Sequence, residues 1–93
     1  MKKINISKIR KKLDKVDIKL LKIIKERALL VDQVLKLKKN KSEVVDKKRI
    51  NFILKRIKSH SKRLNLDPEI SVNIWKIMIK NFIKYEYKKF KRK

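Results

Sequence analysis

Six arginines, at positions 10, 27, 49, 56, 63 and 92, stand among 31 Lys and Arg residues, so lysine supplies the other 25. An excess of lysine, isoleucine and asparagine is what an A+T-rich coding sequence produces, and most of the lysines are read as solvated surface. An arginine retained against that bias carries more information. Arg27 occupies a position where the surrounding pattern calls for an apolar side chain. A guanidinium there needs a carboxylate or phosphate beside it, because an unpaired buried charge is very costly. Two partners are open: an acid of the same chain such as Asp17 or Glu26, neither of which sits one turn away on the same face, or an anionic ligand. Lys38 follows eleven residues later, about 20° around a helix axis and roughly 16 Å along it, so two long side chains could converge on something between them. Arg10 precedes Arg27 by seventeen residues, about 25 Å along the same helix, too far to touch that ligand from the same chain.

The chemistry open to such a set is the gripping of an anion, and the rest of the inventory excludes most alternatives. There is no cysteine, hence no disulfide, thiolate nucleophile or Cys-based zinc site, and the single histidine, His60, rules out a His-cluster metal centre. The absence of glycine excludes P-loops and dinucleotide-binding fingerprints. No metal and no cofactor are expected. Against 31 cations stand nine acids, a net charge of +22 that attracts a polyanion or an anionic metabolite. With 42% hydrophobic residues the chain should nonetheless fold, under a heavily charged surface.

The elements that must position these residues are helices. Zero glycine and one proline, Pro68, leave almost no tight-turn chemistry, which predicts an all-α chain, and 93 residues allow a single domain over 1–93 with a basic tail about 87–93. Apolar residues recur from Ile9 through Leu13, Val16, Leu20, Ile23, Leu30, Val34 and Leu37 in steps of four and three, and Arg27 takes the step between Ile23 and Leu30. A helix from about Ser7 to Lys39 would be on the order of 50 Å long, whereas a compact monomer of this size is only some 30 to 35 Å across. A second apolar row, Leu21, Ile24, Ala28, Val31 and Leu35, widens the stripe. The helix therefore has more apolar face than the remaining chain can cover, which predicts a dimer through paired long helices. An antiparallel partner crossing near Leu20 and Leu21 would bring its Arg10 opposite the interval from Arg27 to Lys38.

The first helix is expected to end near Asn40 in a left-handed cap, with KSEVV as a loop. Asp46 caps a second helix carrying Ile50, Ile53, Leu54, Ile57 and Leu64, which stops at Asn65. Asp67-Pro68-Glu69 is a helix start: an oxygen cap, a proline where its missing N–H costs nothing, and a carboxylate near the positive end of the dipole. The third helix presents Ile74, Trp75, Met78, Ile79, Phe82, Ile83 and Phe90 and frays into KKFKRK. Trp75 reads as core filling and His60 as a half-exposed helix residue. Glu86, the only acid after Glu69, lies on the inward stripe, where it either pairs with a lysine such as Lys89 or faces a site. The start is basic but no apolar run of signal-peptide or membrane-span length follows, so a soluble cytoplasmic protein is expected.

The stretch Ile9-Arg10-Lys11-Lys12-Leu13-Asp14-Lys15-Val16-Asp17, then Leu20-Leu21, Glu26-Arg27, Lys38, Asp46 with Arg49, and Leu64-Asn65-Leu66-Asp67-Pro68 resembles the all-helical chorismate mutases over nearly the whole chain. The opening and the Glu-Arg pair eleven residues before Lys38 are its more specific pieces, while the segment before Pro68 is a weak one. The resemblance implies an intertwined three-helix homodimer that rearranges chorismate to prephenate for aromatic amino-acid synthesis. By the same resemblance, Arg27, Arg49 and the other subunit's Arg10 hold the two carboxylates, Lys38 bonds the ether oxygen, and Asp46 contacts the region of the ring hydroxyl.

Three positions depart from the commonest family pattern. Ile50 stands for a glutamate, Phe82 for a serine, and Glu86 for a glutamine that shares the ether oxygen with the lysine. The related isochorismate pyruvate lyases tolerate apolar residues at the first two, so lyase chemistry is the alternative within the fold. From another class, a basic helical nucleic-acid binder remains an alternative. Any such attraction is expected to be non-specific and confined to low salt.

Overall fold

The computed structural model describes residues 5–91, and among them the chain forms three α-helices and no strand: α1, Ile6–Leu37; α2, Lys47–Arg63; and α3, Pro68–Lys91. The all-α class and the very long first helix follow the sequence pattern. The chain divides into two compact units, the first ending at Gln33 and the second beginning at Val34.

The first unit is helix and little else. Asn5 Oδ1 accepts from the Ser7 N–H at 2.8 Å, holding one of the first-turn donors that a helix leaves without an internal partner. Along the helix the predicted apolar stripe is exposed: Leu13, Val16, Leu20, Leu21, Ile23 and Leu30 all lie open, with Leu20 at 51% and Leu21 at 60%. Ile24, Arg27, Ala28, Val31 and Asp32 are half-buried.

The second unit carries the packed interior, with α2 against α3 and Leu35, Val44 and Ile79 as its buried apolar side chains. Between α1 and α2 the expected plain loop contains a 3₁₀ turn, Lys41–Glu43, in which Glu43 Oε2 accepts the Lys39 N–H at 3.1 Å while Val44 turns inward. Asn40 is not the left-handed cap its type suggested: its φ of −120° is extended, because α1 already ends at Leu37 with a tightened bond from Lys38 N–H to the Leu35 carbonyl.

The left-handed residue is Asn65, with φ 56°. Its N–H donates to the Lys62 carbonyl at 3.2 Å and that of Leu66 reaches back to Ser61 at 2.9 Å, the paired bonds of a Schellman ending with asparagine where glycine is commonest. Asp46 Oδ1 accepts the Arg49 N–H at 3.0 Å and Asp67 Oδ1 the Glu69 N–H at 2.9 Å, so α2 and α3 start on the caps read from sequence. In the α2–α3 connection Ser61 donates to the Ile57 carbonyl at 2.6 Å, leaving lone pairs facing the hydroxyl of Ser71, and both serines are buried.

Three further expectations are corrected. α3 does not fray at KKFKRK but runs through Lys91, with Tyr87 under the Lys41 ammonium at 5.5 Å and Phe90 half-buried; 92 and 93 lie outside the described residues. Leu64, expected in the core, is 75% exposed, because the left-handed turn after it swings the chain away. Ile74 is exposed as well, on the side of α3 that carries Ile70 and Ile77.

Candidate functional site

The six residues singled out for binding or chemistry fall into both units. Arg10 and Arg27 lie on α1 in the first, Arg10 exposed and Arg27 half-buried. On one straight helix their separation of seventeen residues is a rise of about 25 Å, so the α1 geometry keeps the two guanidinium groups of one chain apart.

Lys38, Asp46, Arg49 and Glu86 belong to the second unit, where the structure brings two of them into contact. Lys38 Nζ donates to Glu86 Oε1 at 3.2 Å, with side chains only 18% and 11% accessible. The pair forms because α1 stops one residue before Lys38, and because Glu86 sits on the stripe of α3 that also carries Ile79, Phe82 and Ile83. Glu86 thus meets a lysine from outside its own helix, while Lys89 has its ammonium 5.1 Å from the centre of the Tyr85 ring. A lysine and a carboxylate withdrawn together from water orient each other, whereas either one alone would be costly there.

Asp46 and Lys38 line one groove of about 550 Å³ together with Glu43, Val45, Lys47 and Lys48. Asp46 is anchored there by its capping bond, which fixes its carboxylate at the start of α2. Arg49 is exposed on the first turn of α2, its guanidinium 5.5 Å from the centre of the Phe52 ring, a stacking that holds the flat cation out toward solvent. Phe82, half-buried, meets Tyr85 edge to face at 6.1 Å, and Ile50 is half-buried on α2. Sequence reasoning did not single out Glu43, Val45, Lys47 and Lys48 as groove residues. Their only signal was adjacency to Asp46, and the 3₁₀ turn that curls them toward Lys38 has no strong sequence mark.

Chemically the arrangement offers cations and one buried acid, with no activated nucleophile. Among the described residues no group of three or more His, Asp or Glu side chains could hold a metal ion, and no helix is long and apolar enough to cross a membrane. What the second unit can do is take an anion into a groove beside a fixed ammonium, with a carboxyl group beside it able to donate a hydrogen bond only when protonated.

Comparison with known proteins gives this geometry its context. Residues 9–87 match the family model described as chorismate mutase type II. The chain is also similar to a chorismate mutase of Methanocaldococcus jannaschii, 35% identical over 77 residues that cover 82% of this chain and 78% of that protein. No solved structure matches it.

Proposed function

This chain belongs to the type II chorismate mutase family, and from that premise we propose that it converts chorismate to prephenate in aromatic amino-acid biosynthesis, as a homodimer with two composite sites. The observation that carries the proposal is the family match over 9–87, which contains every residue assigned a role: Arg10, Arg27, Lys38, Asp46, Arg49 and Glu86. The reaction is a one-step electron shift within a dianion. A carbon–oxygen bond of the ether breaks as a carbon–carbon bond forms, and no nucleophile, metal or cofactor takes part. What the protein must supply is orientation and a fixed positive charge where negative charge gathers on the ether oxygen.

Arg27, Arg49 and the partner subunit's Arg10 bind the two carboxylates, since a guanidinium can clamp a carboxylate with two parallel N–H bonds. Lys38 donates to the ether oxygen. Glu86, already bonded to Lys38 in this chain, positions that ammonium and, once protonated, can donate to the same oxygen. Asp46 lies at the start of α2 on the groove that Lys38 also lines, where it meets the ring hydroxyl region. The dimer is supported by the long open stripe of α1: Leu13, Leu20, Leu21 and Leu30 are too apolar and too regularly spaced to be a solvent face. Residues 1–93 then act as a single domain completed by a second copy, and the protein works in the cytoplasm.

Isochorismate pyruvate lyase is the second reading, favoured by the half-buried apolar Ile50 and Phe82 at positions where mutases commonly carry polar groups. The purified protein should consume chorismate and yield prephenate. Isochorismate split to salicylate and pyruvate, with chorismate untouched, would select the lyase. The composite site is tested by co-refolding two inactive variants, Arg10→Ala and Arg27→Ala. Half of the random pairs are mixed and each mixed dimer has one intact site, so about a quarter of wild-type activity should return. No recovery from mixed dimers shown to form would assign the whole site to one chain.

A further inference from the structure

The cations of this chain are not evenly mixed with acids. α1 holds ten cations and four acids and α3 six and two, whereas α2 holds eight cations in seventeen residues and no acid, and no carboxylate appears until Asp67. Within α2 the dipeptide Lys-Arg recurs three times at intervals of seven: Lys48-Arg49, Lys55-Arg56 and Lys62-Arg63. Seven residues turn a helix through about 700°, some 20° short of two full turns, so the arginines form one row and the lysines a second about 100° away, each rising roughly 21 Å in all. All six side chains are exposed. Three of the chain's six arginines stand in this one row, in a protein that otherwise uses lysine. Beside the middle one, Arg56 Nε donates to His60 Nε2 at 3.5 Å, so the neighbour that steadies this guanidinium is another nitrogen base and not a carboxylate.

We propose that the outer face of α2 binds the phosphodiester backbone of a nucleic acid, through the double row of Lys55, Arg56, Lys62 and Arg63 extended by Lys48, Arg49 being the rung that the proposed substrate site uses. A small dianion takes Arg49 at one end of the rows, and the five other cations over ~21 Å exceed what it can use. A polymer with phosphates at short regular intervals fits the length, and guanidinium is the cation best suited to phosphate oxygens. An anionic membrane fits less well, because Phe52 is the one exposed apolar side chain of α2, and Ile50, Ile53, Leu54 and Ile57 are half-buried on the side of the helix away from the lysine row. The binding is independent of base sequence and strongly salt-dependent, and it does not rest on the catalytic assignment.

The test is fluorescence anisotropy of the full-length protein with a labelled 20-nucleotide RNA and a 20-base-pair DNA duplex across a salt series. The two probes decide whether a single strand or a duplex is the better ligand. The α2 variant carries Lys55→Gln, Arg56→Gln, Lys62→Gln and Arg63→Gln; a control of equal charge loss carries Lys76→Gln, Lys80→Gln, Lys84→Gln and Lys88→Gln on exposed positions of α3. Helical circular dichroism and the denaturant midpoint, unchanged in both, report that they fold. The α2 variant should bind the RNA at least tenfold more weakly, with its salt slope lowered by about 3, at ~0.7 for each phosphate no longer neutralised. The α3 control should stay within threefold of wild type. Equal losses in the two variants would reduce the effect to net charge and overturn the proposal, and so would phosphatidylserine vesicles binding wild type as tightly as either nucleic acid. Should the α2 variant fail to fold, photo-cross-linking of a 4-thiouridine RNA to wild type decides: adducts concentrated in 47–63 support the α2 face, and adducts spread over all three helices refute it.

Discussion

The two units of this chain solve the same problem in opposite ways. From Val34 onward the apolar side chains of α2 and α3 face each other, the polar groups between them are paired as Ser61 with Ser71 and Lys38 with Glu86, and both helices begin on aspartate caps. Up to Gln33 there is a single helix whose leucines stand open along most of its length. Apolar burial is worth about 25 cal/mol per Å², and a helix that leaves such a stripe in water has its main source of stability still to come. The second unit covers its own apolar face, whereas the open stripe of the first is what supports the proposed dimer. A reaction whose arginines are divided between α1 and the rest of the chain would then depend on assembly.

The largest effect that could break this contrast comes from charging the stripe. Leu20→Lys with Leu21→Lys alters two side chains that are exposed in the chain, and at a true surface each would change stability by no more than about 0.5 kcal/mol. Buried against a second copy, they would together cost about 3 to 6 kcal/mol of association, at ~1.5 to 3 kcal/mol per leucine. Sedimentation at micromolar protein should show the dimer lost, and turnover should fall with it. An unchanged sedimentation coefficient would refute pairing through this stretch of α1.

Next in size is Arg27→Lys, which keeps the charge of the first unit and removes the planar two-pronged contact. Turnover should fall by about two to three orders of magnitude, on the scale of losing one donor aimed at a reacting anion, while helicity and dimer stay as they were. Wild-type-like kinetics would make Arg27 a structural residue held by its own chain.

Within the second unit, Glu86→Gln sharpens the contrast at the buried acid proposed to meet the chemistry. Glu86 lies 3.2 Å from Lys38 and is 8% exposed. Ionised, it can only accept hydrogen bonds and would repel a developing oxyanion; glutamine can accept from Lys38 through one atom and donate to the ether oxygen through the other. Kcat at neutral pH should rise about tenfold, the worth of one hydrogen bond to a charged group. An inert Glu86→Gln would leave Lys38 alone on the ether oxygen.

The residues that were legible in sequence are those whose signals are local. Asp46, Asp67 and Pro68 start helices by chemistry confined to a few residues, and the period of α1 exposes both its helicity and its excess apolar face. The choice of Glu86 as an inward acid was legible from its place four residues after Phe82, but its partner was not, since Lys38 is 48 residues away and Lys89 is one turn away. Asn40 and Asn65 look alike to a rule that assigns left-handed caps by residue type. What separates them is tertiary: burial of Val44 and the bond from Lys39 to Glu43 pull the chain into a 3₁₀ turn after α1. The exposure of Leu64 and Ile74 was likewise invisible to periodicity, which reports the face of a helix and not how far its neighbour extends.

The smallest effect tests the self-sufficiency of the second unit. Asn65 holds the left-handed region, φ 56°, in a chain that contains no glycine, and its backbone and that of Leu66 close the end of α2 onto Lys62 and Ser61. A side chain with a Cβ costs ~1 kcal/mol or more in that region, a cost that asparagine lowers by bonding locally but does not remove. Asn65→Gly should therefore raise stability by about 0.5 kcal/mol, the relief of the Cβ exceeding the added freedom of the unfolded chain, and Asn65→Ala should lower it by about 1 kcal/mol. Both are read from denaturant midpoints at one fixed protomer concentration, because association contributes to apparent stability. Neither substitution touches α1, so the dimer dissociation constant and chorismate turnover should stay at wild-type values. Were Asn65→Ala to weaken the dimer as much as it weakens α2, the end of α2 would be part of what α1 needs in order to pair, and the division of labour between the two units would not hold.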